Sequence, residues 1–537
     1  MDLRLKNKHI NSFTGNIEFN LVNEVSVKVV HTEERNGGLI MGVNNVDKLS
    51  GIFVIFGGTG DLTHRKLVPA LYNLVIDKLL PKDFAVVSVG RRNKSQEEYK
   101  DDLYKSLIKH SRNKVEEQKW NKLASMIHYY QFDFTDISGY QGLNTYLDEL
   151  DAKFHTAGNR VFYLAVAPEH FETIVGGLHM SNMTKKADAW SRLIIEKPFG
   201  KDLKTALKLN NKLLEVFDEG SIYRIDHYLG KEMIQNIMVL RFCNFIFESI
   251  WNNKYIDNIQ ISLTEKLGVG NRSGYYETSG AIRDMIQSHI IQILSLVAME
   301  PPINLNMDSI RTEKQKVLEA IEEITPEFLR NNVVFGQYGK GVIDGEPVPG
   351  YREEDEGVKA SNTETFVALK LHINNFRWAG TPFYIRTGKR MGTSSGEIVI
   401  QFKNLPKVLY FANKEIQDPN LLVLRIQPNV GVFFQFNTKD FNTINGIIPT
   451  KMDTSHYNPT QGNTPEAYER LLYDILRGDG TLFPRWDEVE AAWSFADKII
   501  KYRENRNFNF PNYDAGSMGP VRAFELLARD GREWWNV

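Results

Sequence analysis

Ile52-Phe53-Val54-Ile55-Phe56-Gly57-Gly58-Thr59-Gly60-Asp61-Leu62 is the stretch on which the reading of this chain turns. Five consecutive apolar residues that run into glycine fit a strand buried on both faces, as in the interior of a parallel sheet. Leu67, Leu71, Leu74 and Val75 then recur at helical spacing, with Pro69 kinking or restarting the helix. Glycines between such a strand and helix let the backbone approach a pyrophosphate at the helix N-terminus. The spacing is not the full GxGxxG, because Thr63 stands where the third glycine would be. Glycine turns also occur without a ligand; the strand–helix context favours nucleotide binding.

Further buried-strand patterns follow at Phe84–Val89, Tyr129–Phe134, Arg160–Ala165 and Arg192–Ile195, separated by helical stretches. This alternation predicts a parallel, doubly wound sheet over residues 50–225. Past the second strand, where an acidic ribose reader would favour NAD, stand Gly90, Arg91, Arg92 and Lys94. Guanidinium groups there accommodate a 2′-phosphate and point to NADP; solvated loop charge is the alternative.

The second half has another texture. Val367, Leu369, Leu371 and Ile373 alternate with less apolar residues, as do Ile398–Phe402, Leu422–Ile426 and Val430–Phe436. Successive period-two runs predict a large, mostly antiparallel sheet, packed against helical stretches near 227–250, 279–299 and 465–478. Residues 1–49 show scattered charge and no sustained period, and read as an N-terminal extension.

Length and charge bound the function. A chain of 537 residues exceeds one typical domain, and Lys+Arg 65 against Asp+Glu 67 leaves a net charge of −2. That balance disfavours nucleic acid as the partner, since phosphate neutralisation wants a basic excess. No apolar run approaches the roughly 18 residues of a membrane helix. Met1–Ile10 lacks a signal-peptide core, and the single Cys243 forms no internal disulfide and no multi-cysteine metal site. These features are read as cytoplasmic, with no membrane and no metal.

Two further segments carry chemistry. In Arg224-Ile225-Asp226-His227-Tyr228-Leu229-Gly230-Lys231-Glu232, a helix beginning near Asp226 would put His227 and Lys231 on one face. With the Tyr228 phenol they would suit a phosphate monoester, although such a stretch is also an ordinary polar helix start. In Ile282-Arg283-Asp284-Met285-Ile286-Gln287-Ser288-His289, the histidine sits on an otherwise apolar helix, where a satisfied core imidazole is the plain alternative to a catalytic base. Asp226 is its candidate carboxylate partner.

These segments, with Glu196-Lys197-Pro198-Phe199-Gly200, Ile385-Arg386-Thr387-Gly388-Lys389, Arg425-Ile426-Gln427-Pro428 and Pro465–Leu471, closely resemble the glucose-6-phosphate dehydrogenase family from about Ile52 to Trp535. The Arg224–Glu232 segment is the most specific; the glycine turn and Glu-Lys-Pro also occur in other sugar oxidoreductases. The resemblance implies an α/β plus β+α protein. A Rossmann-like dinucleotide-binding domain over 50–226 is followed by a substrate and oligomerisation domain over 227–537. It implies oxidation of D-glucose 6-phosphate to 6-phospho-D-glucono-1,5-lactone with NADP, the first step of the oxidative pentose phosphate pathway, by a homodimer or homotetramer.

Carried over residue by residue, His289 matches the general base and Asp226 the carboxylate that orients it. His227, Tyr228 and Lys231 match the phosphate cradle. Glu265 and Asp284 match holders of sugar hydroxyls, and Lys389 and Gln427 complete the pocket. Lys197, before a family-typical cis Pro198, matches a bridge between sugar and cofactor. Gly57, Gly58, Thr59, Gly60, Asp61, Leu62 and Arg91 match cofactor contacts, with Asp133 and Phe134, at the end of the third strand, as further candidates. Ser394 departs from the pattern, which often has a basic residue five positions after the matched lysine; Arg390 is the substitute to test. Arg425 alone does not establish a second, structural NADP. Two other readings stand against this one: an oxidoreductase for an unphosphorylated sugar, disfavoured by the intact cradle, and a catalytically dead NADP-binding regulator, which would lack Asp226 or His289.

Overall fold

The computed structural model describes residues 26–27, 49–406, 418–443, 446–454 and 465–535. Apart from a short strand at Ser26–Val27 and residue 49, the extension expected over 1–49 lies outside the described residues. Among the described residues, no helix is long and apolar enough to cross a membrane.

Six strands form the first sheet: β1 (Gly51–Phe56), β2 (Phe84–Gly90), β3 (Ile127–Gln131), β4 (Arg160–Leu164), β5 (Ser191–Glu196) and β6 (Ile222–Ile225). All neighbours pair in parallel, in the order β3-β2-β1-β4-β5-β6 of a doubly wound dinucleotide-binding sheet. β1 and β2 are buried at every position, as an apolar run under helices on both faces requires. The third strand is shorter than its apolar pattern suggested. It ends at Gln131, and the Asp133 carboxylate turns the chain by accepting the Thr135 N–H at 3.0 Å and its hydroxyl at 2.8 Å. Asp133 and Phe134 therefore lie on a turn beyond the strand.

The second sheet contains β7 (Ile256–Thr264), β8 (Val333–Gly336), β9 (Phe366–Leu371), β10 (Phe383–Gly388), β11 (Ser395–Phe402), β12 (Leu421–Gln427), β13 (Gly431–Lys439) and β14 (Ile447–Asp453). Its order is β14-β13-β12-β11-β7-β10-β9-β8, with Ser26–Val27 added along β14. Pairing is antiparallel except for β7 with β10 and for that short edge strand. One face buries Ile259, Ile261 and Leu263 in a core shared with the helix Ile291–Ala298 and continuous with the first sheet's core. On the other, Ala368 and Tyr384 pack under the C-terminal helix Val521–Ala528 and Trp534.

Two helical expectations are corrected. No helix begins at Asp226: residues 227–230 form a turn and the helix runs over Glu232–Phe242, with Lys231 at its N-cap in extended conformation. The stretch near 279–299 is not one α-helix either. A helix Ser273–Ala281 breaks at Gly280, π-helical turns cover Ile282–Ile290, and α-helix resumes over Ile291–Ala298.

Candidate active site

Strand ends from both sheets converge on the π-helical segment. Lys197 follows β5 and Asp226 follows β6, at the carboxyl edge where open α/β sheets bind ligands. Glu265 follows β7 and Lys389 follows β10, and the parallel pairing of those two strands brings both residues to the same edge. Gln427 closes β12. The peptide bonds Lys197–Pro198 and Gln427–Pro428 are cis.

His289 is the hub. Its Nδ1–H donates to Asp226 Oδ1 at 2.5 Å, and Tyr228 N–H donates to the same oxygen at 3.0 Å. Its Nε2 faces Lys197 Nζ at 2.7 Å. Lys197 Nζ also donates to the Asp284 main-chain oxygen at 2.8 Å and lies 3.6 Å from its carboxylate. The far side of Asp284 meets Lys389 at 3.7 Å, and Lys389 pairs with Glu265 at 2.5 Å. The Tyr228 ring stacks on His289 at 4.3 Å; the His227 ring meets it edge-on at 4.7 Å. Lys231 Nζ sits 3.8 Å above the Tyr228 ring and donates to Gln427 Oε1. Every catalytic and sugar-side residue singled out from the sequence thus falls in one connected cluster, although the chain separates Lys197 from Gln427 by 230 positions.

The π winding explains how Asp284 and His289 both reach Lys197. Residues five apart stack one above the other when hydrogen bonds run i→i+5. At about 100° per residue, an α-helix would set them roughly 140° apart.

The electrostatics follow from burial. Burial holds the His289 imidazole below its ordinary pKa; Asp226 pulls it up, and Lys197 lowers it further. Burial favours a neutral Asp226, yet His289, His227 and Lys197 keep it below the usual carboxylate range. The pair is therefore a carboxylate against a neutral imidazole, with Nδ1–H fixed by the carboxylate and Nε2, beside Lys197 Nζ, carrying no proton of its own. Burial lowers His227 to about 3 and Lys231 to about 8, and it raises the Tyr228 phenol. Asp284 resists the upward push of burial because Lys197 and Lys389 flank it. Asp226, His227 and His289 offer ligand atoms within 4.8 Å of one another, but both His289 nitrogens are engaged and Lys197 Nζ would repel a metal ion.

The glycine turn lies at the switch point between β1 and β4, apart from this cluster. Gly57 has φ +92°, and a Cβ there would stand 2.3 Å from Ala165 O; a Cβ on Gly58 would stand 2.6 Å from Ser88 Cβ. Only glycine keeps that turn tight enough for a pyrophosphate to approach the backbone. Thr63, in place of the third glycine, is buried and ties the turn by donating to Gly57 O at 3.0 Å. Thr59 and Gly60 continue the turn, and Asp61 and Leu62 open the helix, with Asp61 paired to Arg65 at 2.8 Å. Arg91 and Arg92 are exposed, and neither guanidinium has an ion-pair partner among the described residues; Lys94 is held by Asp102. The set fits a phosphorylated dinucleotide. Asp133 is occupied in its turn, and Phe134 packs on His170 at 5.1 Å.

Arg390, the candidate substitute for a basic residue at 394, already has a partner. Its guanidinium pairs at 3.1 Å with Glu354, a carboxylate that also accepts the Val269 and Gly270 N–H groups. Ser394 Oγ accepts the Lys266 N–H at 2.8 Å. Through Glu354, Arg390 is tied to the backbone of Val269 and Gly270.

Sequence reasoning missed Glu196 as a group of interest, although it quoted its segment. Glu196 is half-buried beside Lys197 and accepts hydroxyls from Tyr163 at 2.5 Å and Tyr468 at 3.0 Å. Glu364 and Arg503, at the start of the π segment, were also missed; Gly280, a glycine inside a helical pattern, was the legible signal.

Two family models match, one described as the glucose-6-phosphate dehydrogenase NAD binding domain over residues 54–236 and the other as its C-terminal domain over residues 238–535. The chain belongs to the glucose-6-phosphate dehydrogenase family. It is 48% identical over 487 residues to glucose-6-phosphate 1-dehydrogenase of Bacillus subtilis (strain 168), covering 90% of this chain and 98% of that protein. To the same-named protein of Chlamydia pneumoniae it is 45% identical over 491 residues, covering 90% and 95%. Its fold is similar to that of a glucose-6-phosphate dehydrogenase solved with its substrate glucose-6-phosphate. That match has a TM-score of 0.83 and 32% identity, over 91% of this chain and 99% of the other. A glucose-6-phosphate 1-dehydrogenase from Mycobacterium avium matches with TM-score 0.75 and 31% identity over the same shares. The chain is thus an enzyme of this family, with an N-terminal doubly wound nucleotide-binding domain and a larger, mostly antiparallel domain.

Proposed function

We propose that the chain oxidises D-glucose 6-phosphate at C1 to 6-phospho-D-glucono-1,5-lactone with NADP, the first step of the oxidative pentose phosphate pathway. The observation that carries this reading is the 2.5 Å hydrogen bond from His289 Nδ1–H to buried Asp226, which leaves Nε2 as a proton acceptor. When the C1–H leaves as hydride, the C1 hydroxyl must lose its proton, and Nε2 takes it. The imidazolium that forms is stabilised by Asp226. NADP, when bound, supplies the hydride acceptor.

The remaining residues bind and orient. His227, Tyr228 and Lys231 hold the 6-phosphate; Glu265, Asp284, Lys389 and Gln427 take the sugar side, and Lys197 stands between the base and the cofactor side. Gly57–Leu62 receive the pyrophosphate, with Asp133 and Phe134 at the rim. Arg91, whose guanidinium has no ion-pair partner among the described residues, reads the 2′-phosphate and selects NADP over NAD. On this reading, residues 50–226 bind the nucleotide and residues 227–537 bind the sugar and form the contacts of a cytoplasmic homodimer or homotetramer.

His289→Asn tests it. Loss of the base should lower turnover about 10²–10⁴-fold, followed as NADP reduction, with the KM for glucose 6-phosphate within a few fold of the parent. Near-normal turnover would remove the base assignment.

A further inference from the structure

The helical segment that carries Asp284 and His289 starts at a break. Gly280 stands at φ 61° and ψ 177°, a region essentially restricted to glycine, so the helix Ser273–Ala281 cannot run smoothly into Ile282–Ile290. Glu364, on the loop before β9, takes up the freed backbone. Its Oε1 accepts the Ile282 N–H at 3.2 Å, and its main-chain oxygen accepts the Ala281 N–H at 3.1 Å. A Cβ on residue 280 would stand 2.2 Å from that same Oε1. Glycine is required there both by its backbone angle and by the carboxylate that fills the space.

Glu364 is only 1% exposed. Its Oε2 lies 2.8 Å from Arg503 Nε, an ion pair without the alignment of a hydrogen bond. Burial pushes the carboxyl up and Arg503 opposes the push. Arg503 sits in the last turn of the helix Trp486–Glu504, which packs along the π segment and also pairs Glu504 with Arg283 at 3.1 Å. A buried ion pair is a poor source of stability compared with apolar packing of the same volume. Its placement at the one break in this segment suggests a task of geometry.

We infer that Glu364, held by Arg503, is a positioning residue for proton transfer: it anchors the start of the π segment and so fixes the register in which Asp284 and His289 meet Lys197 together. Those two contacts, 2.8 Å from Lys197 Nζ to Asp284 O and 2.7 Å to His289 Nε2, are made with the segment in i→i+5 winding. Released from the clamp, the segment can relax toward α-helical winding and turn one partner away. The inference rests on His289 being the base.

The test uses the full chain, with Glu364→Ala, Glu364→Gln, Gly280→Ala and His289→Asn measured side by side. A base displaced by about 1 Å loses on the order of 10²-fold in rate. Glu364→Ala should lower kcat about 10–100-fold while both KM values stay within about threefold. Glu364→Gln keeps an oxygen for the Ile282 N–H and should recover kcat to within about threefold of the parent. Gly280→Ala reaches the clamp from the other side and should repeat the kcat-only loss, which keeps the test open if Glu364→Ala fails to fold. Glu364→Ala added to His289→Asn should slow that variant no further than about threefold. A normal kcat in Glu364→Ala beside an inactive His289→Asn overturns the clamp alone, as do parallel losses in kcat and KM or losses that multiply in the double variant. Failure of both Glu364→Ala and Gly280→Ala to fold overturns it too, because the clamp would then hold the fold instead of the base. A fully active His289→Asn removes the base assignment, and the inference falls with it.

Discussion

Asp226→Asn separates the charge of the Asp226–His289 pair from its geometry. Asp226 Oδ1 accepts two N–H groups, from His289 Nδ1 at 2.5 Å and from Tyr228 at 3.0 Å, whereas Oδ2 is buried without a hydrogen-bond partner. An asparagine that keeps its oxygen in the Oδ1 position preserves both bonds and puts its NH2 where Oδ2 stood. The flipped amide would set its NH2 against the His289 Nδ1–H and the Tyr228 N–H, and lose both bonds. The oxygen therefore stays, and His289 keeps the tautomer with Nε2 unprotonated. What disappears is the negative charge facing the imidazolium. A hydrogen bond to a charged group contributes about 1.5–3 kcal/mol, so kcat should fall about 10–150-fold, with stability lowered by the buried, unpaired amide. The pH profile should also move. Burial and Lys197 lower the His289 pKa and Asp226 raises it; without the carboxylate only the lowering influences remain. The acid limb of kcat/KM should shift to lower pH while the plateau drops. Rates of NADP reduction across the pH range read both effects. An acid limb that stays in place or moves up refutes the electrostatic coupling. A loss near 10⁴-fold, equal to that of His289→Asn, refutes the retained tautomer and means that the amide flips.

Arg91→Ala should raise the KM for NADP about 10–150-fold, the loss of one charge-assisted bond, and leave that for NAD nearly unchanged; equal losses on both cofactors would make Arg91 a pyrophosphate or fold contact. Burial holds Lys231 near 8 in the free site, so it loses its proton as the pH rises through that value. The KM for glucose 6-phosphate should therefore climb above about pH 8, and Lys231→Ala should abolish the climb at a permanently weaker affinity. A KM that stays flat from below pH 7 to above pH 9 in the parent enzyme would remove Lys231 from phosphate binding.

The fold was legible where hydropathy is local. β1 and β2 announce themselves as unbroken apolar runs, and β9, β11, β12 and β13 as period-two hydropathy, although β9, β11 and β12 are buried at most positions and only β13 alternates in burial. β7, the strand at the centre of the second sheet, was overlooked although Ile259, Ile261 and Leu263 alternate in the same way. Its parallel pairing with β10 has no local signature, since it depends on a crossover of more than a hundred residues. The residues proposed for the cradle do lie together, but on a different backbone from the one their spacing suggested. An i, i+4 spacing reads as a helix face, yet Asp226 Oδ1 bonds the Tyr228 N–H and closes the turn that brings the His227 and Tyr228 rings against His289 and against each other.

The π segment marks where sequence reading stops for a physical reason. Ile282, Met285, Ile286, His289 and Ile290 are buried, a spacing that an α-helical stripe would show equally well, and Gln287 is buried beside them. Burial pattern therefore cannot separate the two windings, because a broad apolar face meets the core in either. The difference lies in backbone hydrogen bonds, and these are set at the segment's start by groups far along the chain: Glu364 on Ile282 and Arg503 on Glu364. The local clue is Gly280, a residue that weakens a helix unless its left-handed angle is used. A sequence carries the need for that angle at one position and the carboxylate that exploits it 84 residues later. Only the packed chain joins them, and the same junction decides whether Asp284 and His289 can address one lysine.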